Sequence, residues 1–250
     1  MNVCHVGFDN LNFSQALERV LGLLSSADKA DAFFLNADCL YKTMGDLEYR
    51  NIINSADLVL PDGIGLRLIA GLFGGKMKEN CNGTDFCPAL MEKAAEMGYS
   101  IFFLGGKDRV AEEAAWNIRR KIPGIKIVGT RSGYFTGNAG TVKDINASGA
   151  DILFVGMGAP LQEKWIAENR KGLDPRLCLG VGALFDFLSG RVPRAPKLMR
   201  SMHLEWLWRI FIEPGRMFRR YIVDGARLFL LVLKYRFKGP GREGLRAGRG

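Results

Sequence analysis

Ser100-Ile101-Phe102-Phe103-Leu104-Gly105-Gly106-Lys107-Asp108 is a short apolar run that ends on two glycines and enters an amphipathic helical period over residues 109–121. The same grammar returns in Asp151-Ile152-Leu153-Phe154-Val155 before Gly156-Met157-Gly158-Ala159-Pro160, with a helical period from 161 to about 170. It recurs in Ala32-Phe33-Phe34-Leu35 before Asn36-Ala37-Asp38, and in Leu177-Cys178-Leu179-Gly180-Val181 before Gly182-Ala183. Leu58-Val59-Leu60 and Ile125-Lys126-Ile127-Val128 read as further strands. Apolar strands alternating with helices at this spacing predict an α/β protein with a parallel sheet and helices on both faces. Ligands of such sheets gather at the carboxyl ends of the strands, where these turns lie.

Charge divides the chain. From Arg191 to Gly250 there are 15 basic residues against 4 acidic, while residues 1–190 hold 20 against 22, which together make the net +9. This predicts a Rossmann-like α/β body over 1–190, a basic amphipathic helical appendage over 191–237 and a disordered basic tail over 238–250. Pro193 and Pro196 mark the linker. One helix is expected over about 198–212 and a second from Pro214 to about 237. Arg209, Arg216, Arg220, Arg227 and Lys234 share a helical spacing, with Arg219 beside them, and Trp206, Leu207, Ile210, Phe211, Phe218, Tyr221 and Ile222 fill other sides. Basic residues interleaved with bulky apolar ones suit an anionic membrane surface better than nucleic acid. The apolar run 228–233 is far short of the roughly 20 residues that span a bilayer. No leader is expected from Met1-Asn2-Val3-Cys4-His5. Five scattered cysteines without a CxxC predict reduced thiols in a cytoplasm. Two histidines and the lack of any Asp-x-Asp triplet leave no metal site to expect.

Four motifs can carry chemistry. In Leu60-Pro61-Asp62-Gly63-Ile64-Gly65, a carboxylate sits at a strand end between proline and glycine. Asp62 either caps the following helix or accepts a proton from a hydroxyl. In Asn82-Gly83-Thr84-Asp85, Thr84 or Asp85 either caps a helix or holds a sugar. The turns at Gly105-Gly106 and Gly156-Met157-Gly158 offer backbone N–H groups to a diphosphate, although neither completes a GxGxxG fingerprint. After the second turn, Gln162 and Lys164 either meet base, sugar or phosphate, or form a solvated helix face. The basic row of the tail is the fourth.

Taken together, these segments resemble the WecG/TagA/CpsF family of bacterial glycosyltransferases. The resemblance runs from about Val6 to Phe237, through Leu35-Asn36-Ala37-Asp38, Leu60-Pro61-Asp62-Gly63-Ile64-Gly65, Gly83-Thr84-Asp85, Gly156-Met157-Gly158-Ala159-Pro160-Leu161-Gln162-Glu163 and Leu204-Glu205-Trp206-Leu207-Trp208-Arg209. It implies inverting, metal-independent transfer, without a cofactor, from a UDP-sugar to a polyprenyl-diphosphate-linked sugar at the inner face of the cytoplasmic membrane. The products implied are exopolysaccharide, capsule, wall teichoic acid or common antigen. By the same resemblance Asp62 is the base, Asn36 and Gln162 line the pocket, and Arg209, Arg216 and Arg219 come over the site. The nucleotide donor is assigned to Asn36, Asp38, Gly63, Thr84, Asp85, Gly105, Gly106, Gly156, Gly158, Gln162 and Lys164. The acceptor diphosphate and membrane are assigned to Arg191, Arg194, Arg209, Arg216, Arg219 and Arg220. Phe34 and Asn80 stand where members often carry Thr and Arg, which leaves the donor sugar open. A homo-oligomer is also left open.

The alternative is a dinucleotide-dependent oxidoreductase on a similar sheet, in which Leu161 stands where the third fingerprint glycine belongs. Thermal-shift measurements with UDP, NAD and NADP separate the two, with stabilisation by UDP alone expected.

Overall fold

The computed structural model describes residues 1–202 and 204–238. A short hairpin, β1 (Asn2–Val3) against β2 (Val6–Gly7), precedes the main sheet. That sheet contains β3 (Ala30–Leu35), β4 (Leu58–Pro61), β5 (Ser100–Gly105), β6 (Lys126–Arg131), β7 (Ile152–Gly156) and β8 (Leu177–Gly180). Every pairing is parallel, in the order β4-β3-β8-β7-β5-β6. The α/β expectation holds, and each strand end carries a turn onto one edge of the sheet.

Helices cover both faces because successive strand residues point to opposite sides. Phe34, Leu60, Phe103, Phe154 and Leu179 pack on one side. Above them lie α1 (Phe13–Ser25), and, from later in the chain, the Gly83–Glu96, Val110–Lys121 and Leu184–Leu188 helices. Phe33, Leu35, Val59, Leu104 and Val155 pack on the other side. There lie α2 (Ala37–Gly45), α3 (Leu47–Ser55) and α4 (Ile64–Leu72). The later helices are α5 (Gly83–Glu96), α6 (Val110–Lys121), α7 (Asn138–Ala147), α8 (Leu161–Asn169) and α9 (Leu184–Leu188), of which α7 and α8 join the second side. All five cysteines are buried and free, and burial pushes their thiols up, Cys39 to about 11. They are packing residues and poor nucleophiles.

The tail departs from its expected layout. The single helix expected over 198–212 is divided into α10 (Lys197–Ser201) and α11 (Glu205–Ile212). The break brings Glu205 to 3.3 Å from Arg194. Then come α12 (Pro214–Phe218), a π-helical turn (Arg219–Val223) and α13 (Asp224–Lys238). The basic tail expected beyond Lys238 lies outside the described residues.

The apolar run 228–233 has its residues divided between two faces of α13. Leu228 and Val232 are buried with the core formed by α2 and α4, whereas Phe229, Leu230 and Leu231 are exposed. Tyr235 meets Phe73 and His5 edge-on and its hydroxyl bonds His5 Nε2. The last helix is therefore part of the body, because a spacing of four returns Leu228 and Val232 to one face. Among the described residues, no helix is long and apolar enough to cross a membrane. Leu228→Ala should cost about 2–4 kcal/mol in urea unfolding by leaving a cavity. The outward Leu230→Ala should stay within about 0.5 kcal/mol.

Candidate functional site

Leu35 pairs with Pro61 in register, so Asn36 and Asp62 leave the sheet side by side. The Asp62 N–H donates to the Leu35 carbonyl at 2.8 Å, which fastens the two strand ends together. Asn36 caps α2 by accepting the Cys39 N–H at 3.0 Å. The N-cap of α4 is Gly63, with φ 90, and not Asp62. Gly63 needs glycine there, since a side chain is strained at that φ. Its N–H is held by Asn80 Oδ1 at 2.7 Å, and the Cys81 N–H donates to the Pro61 carbonyl at 3.0 Å. Half-buried Asp62 thus stands on a backbone fixed from both sides. Its carboxylate lies near the start of α5: burial and then its charge raise the Cys87 thiol, and burial, Glu79 and then Asp62 raise that of Cys81.

At the start of α5 the cap is Asn82, which accepts the Asp85 N–H at 3.0 Å, and neither Thr84 nor Asp85. Those two meet the tail instead. Arg194 reaches Asp85 at 2.7 Å, the Thr84 hydroxyl at 3.2 Å and Glu205 at 3.3 Å. Arg194, assigned from sequence to the acceptor, is in this structure the pin between the tail and the site. Phe34 lies below, its ring about 3.5 Å from where a Cβ on Gly83 would stand, and edge-on to Phe86. It fills space under the α5 start. Asn80 had a signal in the sequence only as a departure from the family pattern; its hydrogen bond to Gly63 had none.

The glycine turns are bound up within the protein. The Gly106 N–H donates to the Gly156 carbonyl at 3.0 Å. A Cβ on Gly105, at φ 146, would lie 2.3 Å from that same oxygen. Gln162 is 4% exposed, and its Oε1 accepts from Gly158 N–H at 3.1 Å and Gly182 N–H at 2.8 Å. Gln162 thus bridges the two turns. Lys164 leaves the mouth, with its ammonium 2.9 Å from Asp46 and also on Glu48 at the start of α3. Asp38 pairs with Lys42 at 2.8 Å, and Lys42 also donates to the Ala159 carbonyl at 2.8 Å.

Of the tail arginines, Arg191 grips Glu113 at 2.7 Å and the Asp108 carbonyl at 3.1 Å. Arg209 lies over the Phe187 ring, 5.1 Å from its centroid, at the helix that follows β8. Arg219 is exposed, and the side chains of Arg216 and Arg220 fall outside the described residues. A depression of about 230 Å³, lined by Asp108, Arg109, Glu112, Arg131 and Ser132, lies beyond β5 and β6, across the sheet from Asp62.

The parallel sheet thus carries Asp62 at one strand mouth with the C-terminal arm pinned nearby through Arg194, and residues 1–242 match the Glycosyl transferase WecG/TagA/CpsF family. The chain belongs to that family, which sets aside the oxidoreductase alternative. Two relatives from Bacillus bear the name N-acetylglucosaminyldiphosphoundecaprenol N-acetyl-beta-D-mannosaminyltransferase. The one from Bacillus spizizenii is 34% identical over 200 residues, 80% of this chain and 77% of its own. The one from Bacillus subtilis is 31% identical over 197 residues, 79% of this chain and 77% of its own.

Glu163, next to Gln162, has no exposed surface, and burial pushes its carboxyl up to about 7. The folded state holds this proton more tightly than an ordinary glutamate of 4.5 does. Its stabilising contribution is therefore complete below pH 4.5 and lost as pH rises through about 7. Glu163→Gln removes that loss and should stabilise the protein by about 2–3 kcal/mol at pH 8, with little change near pH 4.5. Urea unfolding at the two pH values measures it.

Proposed function

We propose that this enzyme moves a sugar from a UDP-sugar to a polyprenyl-diphosphate-linked sugar, with inversion and without a metal, at the inner face of the cytoplasmic membrane. The observation that carries this reading is the place of Asp62, a half-buried residue at a strand mouth, one position before the Gly63 from which α4 begins. The relatives' names contain a diphosphoundecaprenol-linked N-acetylglucosamine, which supports a diphosphate-lipid acceptor. The sequence lacks Asp-x-Asp, which weakens the case for a metal-bridged diphosphate.

In the proposed step the acceptor hydroxyl oxygen attacks the anomeric carbon while Asp62 takes its proton. The bond from that carbon to the UDP oxygen breaks, and its electron pair stays on UDP. Arg209, Arg216 and Arg219 bring positive charge towards the diphosphates, a contribution of a few kcal/mol per well-placed group (about 3 kcal/mol). Exposed Phe211, Phe218, Ile222 and Leu230 beside basic residues support contact with an anionic bilayer. The pathway is one for a cell-surface polysaccharide, whether exopolysaccharide, capsule, teichoic acid or common antigen. Phe34 and Asn80 reshape the surroundings of the donor, so its sugar need not be N-acetylmannosamine.

Asp62→Asn should lower turnover by about 10²–10⁴-fold, the usual worth of a general base. UDP affinity, followed by calorimetry, should stay near that of the parent. Near-normal turnover on a short-chain polyprenyl-diphosphate sugar would dismiss Asp62 as the base.

A further inference from the structure

Among the described residues, Glu163 is the one charged side chain with no exposed surface, and it has no part in the transfer step. Its Oε1 accepts from Gln162 Nε2 at 2.8 Å, while its Oε2 is buried without a hydrogen-bond partner. Gln162 joins the turn after β7 to the turn after β8 through the N–H groups of Gly158 and Gly182. Lys42 joins α2, which follows β3, to the first of these turns at Ala159. Three neighbouring strand ends thus share one polar network, with Glu163 at its buried end. The groups that face Glu163 are Asp38, Cys39 and Lys42 from α2 and Tyr49 from α3.

We propose that Glu163 is a positioning residue for nucleotide binding: its ionised carboxylate orients Gln162 and so holds the turns after β7 and β8 at the spacing the nucleotide needs. The inference rests on reading this mouth as a UDP-sugar site. An ionised carboxylate only accepts hydrogen bonds, so it admits one orientation of the Gln162 amide, Nε2 inward and Oε1 towards the two backbone N–H groups. A protonated carboxyl accepts more weakly, so the bond from Gln162 Nε2 loses its charge assistance and the amide is held less firmly against the N–H groups of Gly158 and Gly182. Burial raises the titration of Glu163 into the neutral range, Lys42 pulls it down and Asp38 pushes it up. Acidification from pH 8 to 6 therefore loosens the turns.

Calorimetric titration of UDP into the full chain, parent and Glu163→Gln, at pH 6, 7 and 8 tests this. The terminal phosphate of UDP itself titrates near about 6, and that contribution is common to both proteins. The parent should bind UDP about fivefold more tightly at pH 8 than at pH 6 after subtraction of the change seen in the variant, the lower end of usual coupling. At pH 8 the variant should bind about fivefold more weakly than the parent, with KM for the donor raised to match and kcat within about twofold. Glu163→Asp keeps an acceptor-only group and should retain the pH dependence. Equal affinities at pH 8, parallel pH profiles, or a loss confined to kcat would overturn the inference alone. A parent that binds no UDP at any of the three pH values would overturn the donor reading and this inference with it.

Discussion

Hydrogen bonds run from strand end to strand end along the carboxyl edge of the sheet, and the rest of the mouth is built on them. Gly106 donates to the Gly156 carbonyl, Gly158 and Gly182 meet on Gln162, Lys42 reaches from α2 to Ala159, and Asp62 donates to the Leu35 carbonyl. This chain of contacts crosses β5, β7, β8, β3 and β4. Glycine at 105 is what lets the first link close, since a Cβ there would lie 2.3 Å from the Gly156 oxygen. Parallel strands leave their ends free of hairpins, so such cross-links decide how far apart the turns stand.

The tail is held by two unlike kinds of contact. Near its start, Arg191 and Arg194 make partly exposed ion pairs with Glu113, Asp85 and Glu205. Pairs of this sort contribute about 0–1 kcal/mol each and weaken with salt. At its end, Leu228 and Val232 are fully within the core. Apolar burial of that kind is worth about 1.5–3 kcal/mol per side chain. The arm between these points carries the exposed aromatic and basic residues. It is anchored firmly at α13 and lightly at the mouth.

α13 packs on α2 and α4, the helices that leave the sheet from Asn36 and from the Asp62-Gly63 turn. Gly65 and Ala37 lie so close that a Cβ on Gly65 would stand 2.9 Å from that of Ala37. Small residues thus set the spacing of the two helix starts, and the last helix of the chain braces the same pair.

The runs Ser100–Leu104 and Asp151–Val155, each closed by glycines, were enough to place strands, turns and helix starts, because alternation and glycine report local backbone and burial. The runs Ala32–Leu35 and Leu58–Leu60 likewise placed Asn36 and Asp62 at strand mouths. The partners of the polar side chains were a different matter. Asn82 took the cap expected of Thr84 or Asp85, Gln162 turned inward to two backbone N–H groups, and Lys164 turned away to Asp46 and Glu48. A residue's spacing in the chain names the face it occupies, while its partner depends on which strands are neighbours and which helices cross over them. Arg194 meets Thr84 across 110 residues of sequence, and only the packed sheet brings that pair within 3.2 Å.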